Sequence, residues 1–170
     1  ITDDDGKPLL SWRVAILPYL DQQALYSQFH LDEPWDSEHN LPLSKQLPLV
    51  YANFQHGELR LEGKTLYQIP HGKGALYQGI AGPDDEVYDE SPGGRSGTAF
   101  MVETSPEFAV VWTKPDDVEI SEVTARHRLN GGAGGLSSVL FADQHLETLH
   151  LLSETPERIN RMFFPRGGGR

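Results

Sequence analysis

Residues 126–149 read RHRLNGGAGGLSSVLFADQHLETL, and this stretch carries the strongest fold signal in the chain. A glycine-rich loop leads into an apolar run over 137–141, which is followed by a tight turn at Ala142-Asp143 and a second run over 146–151. Two such runs joined by a short turn predict a β-hairpin near the end of the chain. Thr155, with Pro156 at the first helical position, then predicts a short C-terminal helix.

The N-terminal part of the chain predicts helical structure. Ser11 can cap a helix that begins at Trp12, and Pro18 limits its length because the proline ring clashes with the preceding turn. Asp21 can cap a second piece, so the sequence allows two short helices or one kinked helix. A further helical turn or two is expected over 41–46.

Several short runs between these ends predict strands. They cover residues 49–52, 58–61, 65–69, 98–103 and 108–112, and the second and third are expected to form a hairpin around Gly63. A leading helix, antiparallel strands and a short final helix together predict an α+β fold. We therefore expect an N-terminal helix or kinked helix packed on an antiparallel sheet with long loops.

The length and composition limit the possible classes of protein. The 170 residues fit one domain over 1–170, with flexible ends at about 1–8 and 165–170. The net charge of −11 disfavours nucleic acids and anionic lipids as partners, because their phosphates carry the same sign. With no cysteine, the chain has no disulfide, no thiolate metal ligand and no thiol nucleophile.

The ends of the sequence predict a processed or partial chain. The first residue is Ile1 rather than methionine, and no run approaches the roughly 18 apolar residues of a membrane span. We expect that a membrane anchor precedes this chain in the full-length protein.

An acidic run suggests calcium as a possible ligand. Residues 84–90 supply five carboxylates within the glycine-rich and proline-rich loop 70–97. Calcium takes six to eight oxygen ligands from flexible loops, but the register of an EF-hand is absent. The candidate ligands are Asp84, Asp85, Glu86 and Asp89, while a solvated charged loop is the alternative reading. No other cofactor is expected.

The residues around the hairpin do not predict catalysis. Ser137 and Ser138 lack the Gly-x-Ser-x-Gly turn that exposes a nucleophile, although His127 and Asp143 are near in sequence. Asp143 shares a strand face with His145 but not with His150, which weakens a transition-metal site. The glycine loop lacks the lysine of a phosphate-binding loop. We therefore expect no enzymatic activity.

The loop tryptophan allows two interpretations. Trp35, with Tyr26, could stack on a sugar ring. An aromatic side chain that closes the end of a small core is the alternative, and we favour it.

Several blocks of sequence together resemble one known family, the prepilin-like domain of unknown function that is abundant in planctomycete bacteria. They are DGKPLLSWRV at 5–14, ILPYLDQQALY at 16–26, FHLDEPWDS at 29–37, GRSGT at 94–98, WTKPDD at 112–117, and the His127-to-Asp143 region. In that family Trp35, His127 and Asp143 fall within signature positions. The resemblance names no catalytic residues.

The resemblance implies a fold and a cellular role. It implies a pseudopilin-like head, made of a helix laid on an antiparallel sheet, that follows a cleaved prepilin motif and an apolar helix. It further implies an extracytoplasmic location and membrane anchorage through that helix. The partners that the resemblance implies are other pilin-like subunits or secretion machinery, in the type II system or a surface fibre. The expected function is a non-enzymatic structural and assembly protein.

The chain departs from the family pattern at three places. The segment Tyr51-Ala52-Asn53-Phe54 lacks the cysteine that the family often has, so its disulfide is absent. Gln144 stands where the family has glycine, which suits a turn with positive φ. The sixteen steps from His127 to Asp143 make the intervening loop longer than usual.

One alternative function stays open. The chain could be an extracellular binding module that holds a carbohydrate or a protein with its loops 70–97 and 128–136. Trp35-dependent glycan binding would favour that reading.

Overall fold

The computed structural model describes residues 1–73, 75–77, 93–121, 124–129 and 135–164. They form two compact units, the first made of Ile1–Thr65 and Ala109–Asp116, and the second of Leu66–Phe108 and Asp117–Arg170. The helices and antiparallel sheets of both units confirm the predicted α+β class. The expectation of one domain over 1–170 with flexible ends stays a prediction, and its segment 165–170 lies outside the described residues.

The first unit begins with short helical pieces rather than one long helix. They are α1 at Trp12–Ala15, a 3-10 helix at Leu17–Leu20 and α2 at Gln23–Tyr26. The Ser11 hydroxyl accepts a hydrogen bond from the Arg13 N–H, which confirms the predicted cap. Asp21 does not cap α2. It takes a left-handed φ of 57° at the end of the 3-10 helix, and this reversal breaks the helical path.

The remainder of the first unit contains two further 3-10 helices, one α-helix and a small sheet. The 3-10 helices span Leu41–Lys45 and Leu49–Tyr51, and α3 spans Gly57–Glu62. Strand β1, Lys64–Thr65, pairs antiparallel with a later strand at Val110–Val111. The core of this unit comprises Leu10, Val14, Leu17, Leu25, Phe29, Leu43, Leu47, Tyr51, Ala52 and Trp112.

Two strand predictions in this unit are wrong. The predicted strand at 49–52 is a 3-10 helix, because the N–H groups of Tyr51 and Ala52 donate back to Pro48 and Leu49. The predicted strand at 58–61 is helix α3, so the hairpin does not form, although residues 65–69 do include strand residues at Thr65 and at Tyr67–Gln68. Gly63 ends that helix with φ 68°, a conformation that glycine adopts without steric cost.

The second unit contains a four-stranded antiparallel sheet. The strand at Val110–Val111 in the first unit is numbered β4. The strands of the four-stranded sheet are β2 at Tyr67–Gln68, β3 at Ala99–Glu103, β5 at Leu136–Phe141 and β6 at Leu146–His150. They lie in the order β2-β3-β5-β6. The last two strands pair with Leu140 opposite Leu146, which confirms the terminal hairpin. Val139 and Phe141 are buried, as alternation along a strand requires.

Two α-helices and two 3-10 helices, the latter at Arg95–Gly97 and Pro106–Phe108, complete the second unit among the described residues. Helix α4 spans Ala125–Leu129, and α5 spans Pro156–Phe163. The Thr155 side chain accepts from the Arg158 N–H, and Ile159, Met162 and Phe163 are buried. This confirms the predicted C-terminal helix. No helix within the described ranges is long and apolar enough to cross a bilayer.

Candidate interaction surface

Trp35 anchors its loop to the core of the first unit. The side chain is half-buried against that core, and its backbone N–H donates to the Leu9 carbonyl over 2.9 Å. This position agrees with the structural interpretation of Trp35 as a loop anchor.

The buried Asn40 side chain forms hydrogen bonds to the backbone of the same loop. Its Oδ1 accepts from the His30 N–H over 3.0 Å, and its Nδ2 lies 2.9 Å from the His30 carbonyl. The same amide nitrogen lies 3.2 Å from the carbonyls of Glu33 and Pro34. One buried side chain therefore satisfies four backbone groups of residues 30–34.

The two other signature residues have different neighbours. His127 lies on α4 with its Nε2 3.7 Å from the Glu107 carboxylate, and its ring meets Phe108 edge-on at 5.3 Å. Asp143 lies in the hairpin turn, where its Oδ1 is 2.5 Å from His145 Nδ1. The His127 side chain is exposed.

The hairpin turn is a small local network. The hydrogen bond from His145 holds the pKa of the Asp143 carboxyl below its ordinary value. The His145 ring also stacks on Phe141, with ring centroids 4.3 Å apart. Gln144 takes φ 75°, so the turn uses the positive φ that glycine would favour.

The other residues considered for chemistry are structural or lie outside the described residues. The Ser137 hydroxyl is buried and donates to the Glu103 carbonyl over 2.8 Å, which fixes it to the neighbouring strand. Across the described ranges, no group of three or more His, Asp or Glu residues is placed to hold a metal ion. The calcium candidates Asp84, Asp85, Glu86 and Asp89 lie outside the described residues, as do most of loops 70–97 and 128–136.

The first unit exposes an unusual set of large apolar side chains. Phe54 is 84% exposed and Leu61 is 82% exposed. Four more members are also exposed: Tyr19, Leu41, Leu49 and Val50. Single exposed apolar residues need no explanation, but a group of them on one small unit marks a candidate interaction site.

Local structure accounts for the exposure of Leu49 and Val50. The 3-10 helix Leu49–Tyr51 turns Tyr51 into the core, where its hydroxyl donates to the Arg13 carbonyl over 2.9 Å. Burial raises the pKa of Tyr51, so this hydroxyl stays protonated and remains a donor. With Tyr51 fixed inward, the two preceding side chains face solvent.

Phe54 and Leu61 are exposed for a similar reason. Asn53 is buried and its Oδ1 accepts from the Gln55 N–H over 2.9 Å, a tight turn that leaves Phe54 outside. Helix α3 buries Leu59, and a residue two positions further lies on the opposite side of a helix. Leu61 therefore faces solvent because Leu59 faces the core.

Four of the exposed side chains, Leu49, Val50, Phe54 and Leu61, line two open grooves in the first unit. The first groove has a volume of about 530 Å³ and includes Lys45, Leu47, Phe54, Arg60 and Leu61 in its lining. The second has a volume of about 540 Å³ and includes Leu20, Leu25, Leu49 and Val50. Gln46 and Leu47 line both, so the grooves lie on either side of one short segment.

Gly63 joins two elements that contribute to the first groove, α3 through Arg60 and Leu61 and the 3-10 helix Leu41–Lys45 through Lys45. A Cβ at this position would lie 2.1 Å from the Ser44 carbonyl oxygen, and the Gly63 carbonyl accepts from the Trp112 N–H over 3.0 Å. The end of α3 is thereby pressed against the 3-10 helix Leu41–Lys45 at a distance that only glycine permits.

Sequence reasoning missed this surface. The sequence predicts strands at 49–52 and 58–61, in which alternate side chains would be buried, and it places Phe54 in no element. The available signal was the helix C-terminal glycine at Gly63, which indicates that 57–62 is a helix with Leu59 and Leu61 on different sides.

Comparison with known proteins finds a family match, over the region that contains this surface. Residues 1–70 match the SBP_bac_10 family, described as a protein of unknown function (DUF1559). All six exposed apolar residues of the first unit and both grooves lie within these matched residues. Searches of the curated proteins and of the solved structures find no match.

Proposed function

We propose that this protein is a non-enzymatic, extracytoplasmic assembly protein of the planctomycete prepilin-like type, with a pilin-like head. It joins other pilin-like subunits or secretion machinery through the exposed apolar surface of its first unit. A membrane-anchored helix preceding this chain would hold it at the cell envelope. The resemblance of blocks 5–14, 16–26 and 29–37 to that family supports the proposal.

The exposed apolar surface is the observation that carries the proposal. Burying a Leu or Phe side chain that was exposed stabilises a complex by about 1.5–3 kcal/mol. Phe54 and Leu61 forgo almost all of that stabilisation in the isolated chain, since each is more than four-fifths exposed. A partner that covers both side chains recovers it, and the two grooves offer concave sites for the partner's own side chains.

The net charge agrees with a protein partner rather than a lipid surface. At −11, the chain is repelled by anionic headgroups, so direct adsorption of this head to a membrane is unfavourable. Contact with the envelope would instead come from assembly and from the preceding helix.

The test uses the full-length protein expressed in its own cells. Cells are fractionated and crosslinked with formaldehyde, and complexes that contain the protein are separated by mass. The proposal predicts envelope association and a ladder of crosslinked complexes that the double variant Phe54→Ser/Leu61→Ser loses. Recovery of a cytoplasmic monomer would contradict it.

A matched control is available on the second unit. Leu152 is 82% exposed, the same fraction as Leu61, but it does not belong to the surface of the first unit. The Leu152→Ser variant should keep the full ladder. Equal loss in both variants would show that a general loss of apolar surface, rather than this site, was responsible.

A further inference from the structure

The first groove combines an apolar floor with a cationic rim. Leu47 and Ala52 are buried at its base, and Phe54 and Leu61 stand exposed at its edge. Such a groove suits a short segment that inserts one or two apolar side chains. The charges of the groove then determine which charged side chains the bound segment should have.

The charged side chains that line this groove are Lys45 and Arg60, both cations. The chain as a whole has 25 acidic and 14 basic residues, so this local sign opposes the overall charge. The second groove differs, since none of its described lining residues is charged. Charge therefore distinguishes two grooves of similar volume.

The neighbouring carboxylates are those of Glu58 and Glu62. Glu62 pairs with Lys64 over 2.6 Å and also attracts Lys45, whereas Glu58 lies 3.3 Å from His56 Nδ1. For Arg60, which is exposed, no ion pair is found within the described part of the chain. Its guanidinium can donate two parallel hydrogen bonds to a planar carboxylate.

The Lys45 ammonium is held in place at the groove. Its Nζ donates to the Glu62 carbonyl over 3.1 Å, at the end of α3. One N–H is thereby used within the protein, and two donors remain for a ligand. Two cations in the lining of a groove that also exposes apolar side chains favour a ligand with both apolar and carboxylate side chains.

From this geometry we infer that the first groove binds an extended segment of a partner protein that carries alternating apolar and acidic side chains. The inference rests on the proposed function, because it specifies the partner's chemistry at the same surface. Apolar side chains of the segment contact Leu47, Phe54 and Leu61. Its carboxylates face Lys45 and Arg60.

The test measures binding of three fluorescein-labelled octapeptides to the full chain by anisotropy. The peptides alternate leucine with glutamate, with glutamine or with lysine. The glutamate peptide should bind about tenfold more tightly than the lysine peptide, with glutamine between them, and salt should narrow the difference. Equal affinity for all three, or no binding of the glutamate peptide, overturns the inference.

Variants test whether the cations of the groove cause that preference. Arg60→Gln should weaken binding of the glutamate peptide about fivefold, and Lys45→Glu/Arg60→Glu should reverse the preference toward the lysine peptide. Leu152→Ser should change neither. An unchanged preference in the reversed variant overturns the inference, provided that its circular dichroism spectrum shows a folded chain.

The same samples separate this inference from the proposed function. One outcome would contradict the inference but not the proposed function: the crosslinked ladders depend on Phe54 and Leu61, and the peptides show no charge preference. If neither the crosslinked ladders nor peptide binding is observed, the proposed function is contradicted as well. Displacement of the glutamate peptide by unlabelled full chain would show that the groove binds an acidic segment of a second copy of this protein. That result would overturn the assignment of the groove to a different partner protein.

Discussion

The indole N–H of Trp112 donates a hydrogen bond of 2.9 Å to the backbone carbonyl of Ser44. The Trp112 side chain is fully buried, with the Phe29 ring edge-on at 5.8 Å and the Tyr51 ring at 6.0 Å. This bond ties the end of β4 to the 3-10 helix Leu41–Lys45, which forms part of the first groove. The interaction surface therefore depends on the core directly beneath it.

Replacing Trp112 with Phe should destabilise the first unit by about 1–3 kcal/mol. The substitution leaves the buried Ser44 carbonyl without its donor and removes part of a buried ring. Urea denaturation followed by circular dichroism measures the change. Trp35→Phe is the control, because it keeps the backbone bond from residue 35 to Leu9, and it should cost less.

Asn40→Ala should loosen the loop over 30–40. The His30 N–H and the Glu33 carbonyl lose their partner, whereas the carbonyls of His30 and Pro34 keep the N–H groups of Glu33 and Ser37. Each buried polar group without a hydrogen bond costs about 1–3 kcal/mol. Hydrogen exchange should report faster exchange at the His30 amide, whose N–H is bonded to Asn40 Oδ1. Ser37→Ala removes one neighbouring bond, from the Asn40 N–H, and should have a smaller effect. Unchanged exchange at His30 would contradict this account of the loop.

Gln144→Gly should stabilise the protein by about 1 kcal/mol, because a left-handed φ strains every residue with a Cβ. Thermal melting of the full chain measures the gain. Asp21 also has a positive φ, 57°, but aspartate tolerates that region better. Asp21→Gly should therefore gain less than Gln144→Gly, and the opposite order would count against strain in the hairpin turn.

Acid should weaken the hairpin turn through Asp143. The hydrogen bond from His145 lowers the pKa of this carboxyl, so its contribution to stability is present above the ordinary pKa and is lost as the pH falls through the lowered value. Melting temperatures measured from about pH 6 to about pH 2.5 should fall less for Asp143→Asn than for the natural chain. Asp4→Asn, which changes an exposed N-terminal carboxylate, should leave the profile unchanged.

The elements that the sequence predicts correctly have local causes. The final hairpin alternates buried and exposed residues along β5, and Thr155 with Pro156 defines the start of α5. The cap at Ser11 likewise needs only the next two residues. Each of these signals acts within one turn or one strand, so no tertiary contact can override it easily.

The errors fall where tertiary contacts decide between helix and strand. The run Glu58-Leu59-Arg60-Leu61 alternates like a strand, yet it is helical because Gly63 packs against Ser44 and closes the helix end. The segment Leu49–Tyr51 turns because Tyr51 reaches the Arg13 carbonyl, thirty-eight residues away. Contacts between residues so far apart in the chain cannot be predicted from the pattern of a short stretch of sequence.

The candidate surface was less predictable than the fold for the same reason. Leu49, Val50, Phe54 and Leu61 have the composition of core residues, and their exposure follows from which neighbours are buried. The signature residues Trp35, His127 and Asp143 were found in the sequence, but Trp35 packs in the first unit while the other two belong to separate contacts of the second.

Carbene footprinting of the full-length protein tests the central claim most directly. The labelling of Phe54 and Leu61 is compared between intact cell envelopes and the same protein dispersed in detergent, with Leu152 as the internal reference. The account predicts strong protection of Phe54 and Leu61 in the envelope and equal labelling of Leu152 in both states. Equal labelling of all three residues in both states would contradict the assembly surface.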